Sequence, residues 1–99
     1  MFDIRIADNG EVQISGRLDA SQVDKARTIL DQVGSSCVLN MKGLDYISSA
    51  GLGILLATQK RLMESGQKLR IINMSGHIRD IFHYTRFDTV FEIEASQQG

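Results

Sequence analysis

The amino-acid sequence predicts an α/β domain: a mostly parallel mixed sheet with an antiparallel N-terminal hairpin and helices packed on it, in the order β-β-α-β-α-β-α-β. Three observations predict it. Short alternating or apolar runs recur along the chain, and from the second onward they alternate with segments of helical periodicity. The first two runs are separated by a tight Asn-Gly turn. Strands joined through helices pair in parallel by right-handed crossovers, whereas a short turn forces an antiparallel pair. Helix-strand alternation of this kind defines an α/β architecture.

The elements follow in order. Phe2-Asp3-Ile4-Arg5-Ile6 alternates with period two, as a half-buried strand does. Asp8-Asn9-Gly10 is a turn signal, and Val12-Gln13-Ile14 alternates again, which completes a hairpin. Gly16-Arg17-Leu18-Asp19 reads as a connection to a helix starting near Ala20 or Ser21. Val23, Ala26, Leu30 and Val33 recur at helical spacing, Asp19 or Ser21 supplies the cap, and Gly34 ends the helix. Cys37 to Met41 is a nearly continuous apolar run, as expected of a central strand buried on both faces. After Leu44-Asp45-Tyr46-Ile47-Ser48-Ser49 a helix runs from about Ala50 to Ser65, with Leu52, Leu55, Leu56, Leu62 and Met63 inward and Thr58, Gln59, Lys60, Arg61 and Glu64 outward. Leu69 to Ile72 is a further buried strand, Ser75-Gly76 opens a short helix with Ile78, Ile81 and Phe82 on one face, and Thr89 to Ile93 is the last strand.

Composition limits the function. A chain of 99 residues fits one domain over residues 1–99, with a core over about 1–94 and a short flexible tail from Ala95 to Gly99. A net charge of -1 with no basic cluster argues against a nucleic acid backbone or a membrane surface as partner. Cys37 is the single cysteine, which excludes an intramolecular disulfide and agrees with a reducing, cytoplasmic setting. No run approaches the roughly 18 apolar residues of a spanning helix, and Met1 to Ile6 reads as neither signal peptide nor anchor, so membrane insertion is not expected.

The informative stretch is Asp45-Tyr46-Ile47-Ser48-Ser49-Ala50-Gly51-Leu52-Gly53. It carries the end of a strand across the carboxyl edge of a parallel sheet into a helix that begins at two adjacent serines. Ligand and partner sites gather at that edge. The first amides of the helix lack intrahelical partners, and its dipole makes the spot mildly positive. From spacing alone, Ser48 or Ser49 is either a helix cap or an exposed contact residue. Gly51 and Gly53 either permit close helix packing or open the backbone to a partner.

These residues resemble the STAS domain family, and within it the bacterial anti-sigma factor antagonists. The family pairs an apolar strand with an Asp-Ser-Ser or Asp-Ser-Thr step and a Gly-Leu-Gly or Gly-Leu-Arg helix start, as Ile47 to Gly53 does here with Ser48 in place of the aspartate and Ala50 in place of the second serine or threonine. Ile14-Ser15-Gly16-Arg17-Leu18-Asp19 resembles the family's second signature, and the element order agrees over about residues 1–94. The resemblance implies an unmodified form that binds an anti-sigma factor serine kinase and frees its target, phosphorylation of a loop serine that blocks binding, and a PP2C-type phosphatase that reverses it. The acceptor aligns with Ser49, with Ser48 the runner-up, and the partner surface comprises Asp19, Ser48, Ser49, Ala50, Gly51 and Gly53. The alternative within the family is a docking subunit of a transport or signalling complex in which Ser49 stays unmodified. Asn40 stands where relatives often carry aspartate and reads as a hydrogen-bonded polar group at the strand end.

No enzymatic activity, cofactor or metal is expected. Gly51-Leu52-Gly53 lacks the third glycine of a dinucleotide loop, since Leu56 stands there. A hydrolase reading lacks the nucleophile elbow, and its base would have to be His77 or His83. Those histidines lie six residues apart on one short helix, which also makes them a poor metal pair. Cys37 reads as a small buried hydrophobe.

Overall fold

The structure, a computed structural model, describes residues 1–94; the tail predicted at Ala95–Gly99 lies outside the described residues. Five strands form one sheet: β1 (Phe2–Ile6), β2 (Val12–Leu18), β3 (Cys37–Ile47), β4 (Leu69–Ile72) and β5 (Glu92–Ile93). Their spatial order is their chain order, β1 and β2 pair antiparallel, and every other pair is parallel. The crossovers are α1 (Val23–Leu30), α2 (Ser49–Met63) and α3 (Gly76–Tyr84). Right-handed crossovers that always step in one direction put all three helices on one face of the sheet.

The core lies between that face and the helices. Phe2, Ile4, Val12, Ile14, Leu39, Met41, Leu69 and Ile71 point into it from the strands, and Ala26, Leu30, Leu52, Leu55, Leu62, Ile78 and Phe82 meet them from the helices. Phe82, Phe87 and Phe91 close one end, with edge-on ring contacts at 6.4 Å and 5.8 Å from Phe82. The opposite face of the sheet is polar. Asn40 Nδ2 donates to Glu11 Oε2 at 2.9 Å, Gln13 Nε2 donates to the same oxygen at 3.1 Å, and Arg5 Nε reaches Gln13 Oε1 at 3.3 Å.

Several sequence expectations change. β3 is central but buried on one face alone: Val38 and Asn40 are half-buried, and Lys42 is exposed. Asn40 is bonded as expected, though within the strand and not at its end. β2 continues to Leu18 through the segment read as a connection, because Gly16 sits at φ +86° with the Met1 carbonyl where a β-carbon would stand. β3 likewise continues to Ile47, eleven residues in all. The first helix begins at Val23, after a 3-10 turn at Ala20–Gln22, and ends at Leu30, so Val33 is buried from beyond it.

In α2 the inward face is rotated from the expected one. Met63 is 57 % exposed, whereas Thr58 and Gln59 are buried. Gln59 is buried because its amide replaces a backbone partner: its Oε1 accepts from Leu69 N at 2.8 Å and its Nε2 donates to Val90 O at 2.9 Å. Thr58 Oγ1 is satisfied by the Ile54 carbonyl at 2.8 Å. The last strand shortens to Glu92–Ile93 because Phe87–Thr89 forms a 3-10 turn. Cys37 opens β3 instead of sitting within it and is half-buried; that burial raises its thiol pKa.

Candidate functional site

The site forms where β2 and β3 end side by side. Their register pairs Arg17 with Tyr46 and Leu18 with Ile47. The Ser48 amide then donates to the Leu18 carbonyl at 2.9 Å, which ties the two sequence signatures together. Ser48 has extended backbone and caps α2: its Oγ accepts from Gly51 N at 3.1 Å. Ser49 is the first helical residue, exposed, and its hydroxyl has no hydrogen-bond partner among the described residues. The two serines are therefore unequal. One hydroxyl is committed to the helix start and the other is open to solvent.

Asp19 lies one residue beyond Leu18 at the same edge and is half-buried. It caps the 3-10 turn through Ser21: its carboxylate accepts from Ser21 Oγ at 2.6 Å and from Ser21 N at 3.1 Å. The bond from the Ser21 hydroxyl is the main cause that lowers its pKa.

The two glycines also divide. Gly51 is buried: a β-carbon there would stand 2.8 Å from Leu18 Cγ and 2.9 Å from Ile47 Cγ1. It lets the helix start lie on the strand ends, beneath the exposed residues Ser49 and Ala50. Gly53 is exposed with open space around it. Ala50, Gly53 and Arg61 of α2 line a groove of about 400 Å³ between α1 and α2, with Val23 and Arg27 of α1 across from them. Arg61 Nη2 donates to the Leu30 carbonyl at 2.9 Å, which joins the two helices at the groove's far end. The structure thus brings Ser49, Ala50 and Gly53 to the surface along one helix, with Asp19 beside them.

Sequence reasoning missed two features. Arg17 lies over the Tyr46 ring, 4.4 Å from its centroid, beside the serine loop. Both residues stand in the stretches singled out above, and only their pairing across strands was hidden. The groove is the second, because its walls come from two helices. His77 and His83 are exposed and remote from the loop in sequence, and His83 Nδ1 lies 3.1 Å from Asp88 Oδ2. Among the described residues no helix is long and apolar enough to cross a membrane.

Fold and site together define a class: a small α/β module that presents a free serine at the start of a helix, on the carboxyl edge of its parallel strands. The chain belongs to the STAS domain family, whose model "Mlab, STAS domain" matches residues 2–93. BtrV of Bordetella bronchiseptica, which bears the name of an anti-sigma factor antagonist, is 33 % identical over 81 % of this chain, and the match spans 63 % of that relative's length. The anti-sigma-B factor antagonist of Bacillus subtilis is 26 % identical over 90 % of this chain and 84 % of its own. The structures of the anti-sigma factor antagonist SpoIIAA from Bacillus, solved in unphosphorylated and phosphorylated forms, superpose with TM-scores of 0.72 and 0.68 over 96 % of this chain and 89 % and 92 % of theirs. At 20 % and 19 % identity that likeness is one of fold.

Proposed function

We propose that this chain is an anti-sigma factor antagonist of the partner-switching kind, a non-enzymatic binding module of the cytoplasm. In this reading the unmodified form binds an anti-sigma factor serine kinase and releases that kinase's target. Phosphorylation of Ser49 blocks binding, and a PP2C-type phosphatase restores it. The names of the curated relatives support the class of function. One observation carries the choice of residue: Ser48 Oγ is held by Gly51 N at 3.1 Å, while the Ser49 hydroxyl is exposed and free.

The chemistry of the switch follows from position. A phosphoserine carries about -1.5 to -2 charge and strong acceptor oxygens. At the first residue of α2 that charge faces the positive end of the helix dipole, so the fold tolerates it. Pressed into a partner interface with no cation to receive it, the same charge is costly to desolvate. Binding fails while the module stays folded.

The test begins with pull-down of a kinase by the unmodified protein. Incubation with that kinase and ATP is expected to add one phosphate, mapped by mass spectrometry to Ser49. Modification of Ser48 with Ser49 untouched overturns the assignment. No phosphoserine at all favours the docking-subunit alternative, in which the same surface binds without covalent control.

A further inference from the structure

We propose that β1 is a self-association edge: two copies pair their β1 strands antiparallel about a two-fold axis through Ile4, joining their sheets into one. β1 is an outer strand, and its pairing with β2 reveals which of its backbone groups are free. Arg17 N donates to Met1 O at 3.2 Å and Ala7 N donates to Glu11 O at 2.8 Å, at the two ends of an unbroken antiparallel register. Hydrogen-bonded pairs alternate along such a ladder, so the backbone groups of Asp3 and Arg5 face β2. Those of Phe2, Ile4 and Ile6 face outward, and no described strand lies on that side. Lys25 Nζ reaches the Phe2 carbonyl at 3.3 Å, which agrees with that direction. This single long bond from an exposed side chain is the only guard on the edge among the described residues.

The side chains select a second copy as the occupant. With the axis at Ile4, Phe2 pairs with Ile6 of the other copy and Ile4 with its own equivalent, so all three outward positions engage in phase. On the polar face Asp3 then stands opposite Arg5 of the other copy, twice over. These are non-hydrogen-bonded positions, where α-carbons approach to about 4.5 Å and opposite charges pair well. Among the described residues Asp3 makes no ion pair, and Arg5 is engaged through Nε alone, at 3.3 Å from Gln13. On the helix-covered face the pairing covers Ile6, which is 40 % exposed.

Moving the axis to Asp3 or to Arg5 keeps the backbone groups in phase but sets like charges face to face, which is unfavourable. Among these three neighbouring registers the charge pattern therefore selects the axis at Ile4, which also pairs the most outward positions. Unprotected edges invite pairing of this kind, and a two-fold axis closes it at a dimer. The two-fold points the two Ser49 loops in opposite directions, so the proposal stands or falls independently of the phosphorylation reading.

Sedimentation velocity of the full chain over a wide concentration range tests it. The expected result is a reversible monomer-dimer equilibrium. Asp3→Arg and Arg5→Asp are each expected to weaken dimerisation at least roughly tenfold, and the double variant carrying both exchanges to restore it, with circular dichroism confirming each fold. Tenfold is about 1.4 kcal/mol, within reach of two repulsive contacts. A monomer at every concentration overturns the proposal. So does a dimer indifferent to the single exchanges, a double variant that fails to recover, or open-ended assembly.

Discussion

The Ser48 amide donates to the Leu18 carbonyl at 2.9 Å while the Ser48 hydroxyl receives the Gly51 amide at 3.1 Å, so this residue holds both the strand junction and the helix start. Removing the hydroxyl leaves an orphan donor at the helix start. Ser48→Ala is expected to cost about 1 kcal/mol of folding stability, the usual worth of an N-cap. Ser49→Ala is expected to stay within about 0.5 kcal/mol of the parent. Urea denaturation of both variants checks the difference, and equal losses would contradict the division of roles.

Two substitutions of Ser49 make opposite forecasts for binding. Ser49→Asp places a permanent charge at the proposed contact and is expected to weaken kinase affinity about a hundredfold, roughly 3 kcal/mol. Ser49→Ala should bind as the parent does. Titration calorimetry with the captured kinase reads both, and matching affinities would sink the switch.

Gly51 and Gly53 stand two residues apart on one helix and face different neighbours. Gly51→Ala drives a methyl to within 2.9 Å of Leu18 and Ile47 side chains, and overpacking of that kind costs about 1–3 kcal/mol. Gly53→Ala meets open space and is expected to stabilise the helix by about 0.5–1 kcal/mol. Thermal melts of the two variants should move in opposite directions.

Glu11 supplies a pH dependence. The Asn40 amide, and next the Gln13 amide, hold its carboxyl below the ordinary value of 4.5. A carboxyl whose folded pKa is depressed contributes stability above its unfolded pKa and loses it as pH falls through the folded value. Stability measured by urea should therefore decline with acid from about pH 4.5 downward. Glu11→Gln should show a shallower decline over that window. An unchanged slope would remove Glu11 from the acid response.

How much of this was legible in sequence depends on the range of each interaction. Asn9-Gly10, the helical spacing of Val23, Ala26 and Leu30, and the Ser48-Ser49-Ala50-Gly51 step are all local, and each placed its element. Gln59 was misread as a solvent-facing residue because its partners, Leu69 and Val90, lie 10 and 31 residues away. Its polarity is a reason for exposure in a lone helix and a reason for burial once two strand ends need its amide. Met63 differs for another reason: the buried face of α2 is displaced toward Ile54 and Thr58, which leaves Met63, the last residue of the helix, on the exposed flank. The open face of β3 was equally invisible. A continuous apolar run is expected of two-sided burial, and only the one-directional strand order leaves that face without helices.

The sequence by itself determined the element order, the parallel sheet with its antiparallel hairpin, and the serine pair at the start of a helix, because periodicity and turn chemistry act between near neighbours. The tertiary structure decided which serine caps and which is free, and which glycine packs and which faces solvent. It decided as well where the charges of β1 stand relative to a free edge. The serine and glycine roles depend on what the end of β2 brings against β3 and α2, and the β1 charges on the register of β1 with β2 and on its outer place in the sheet; no local pattern encodes those meetings.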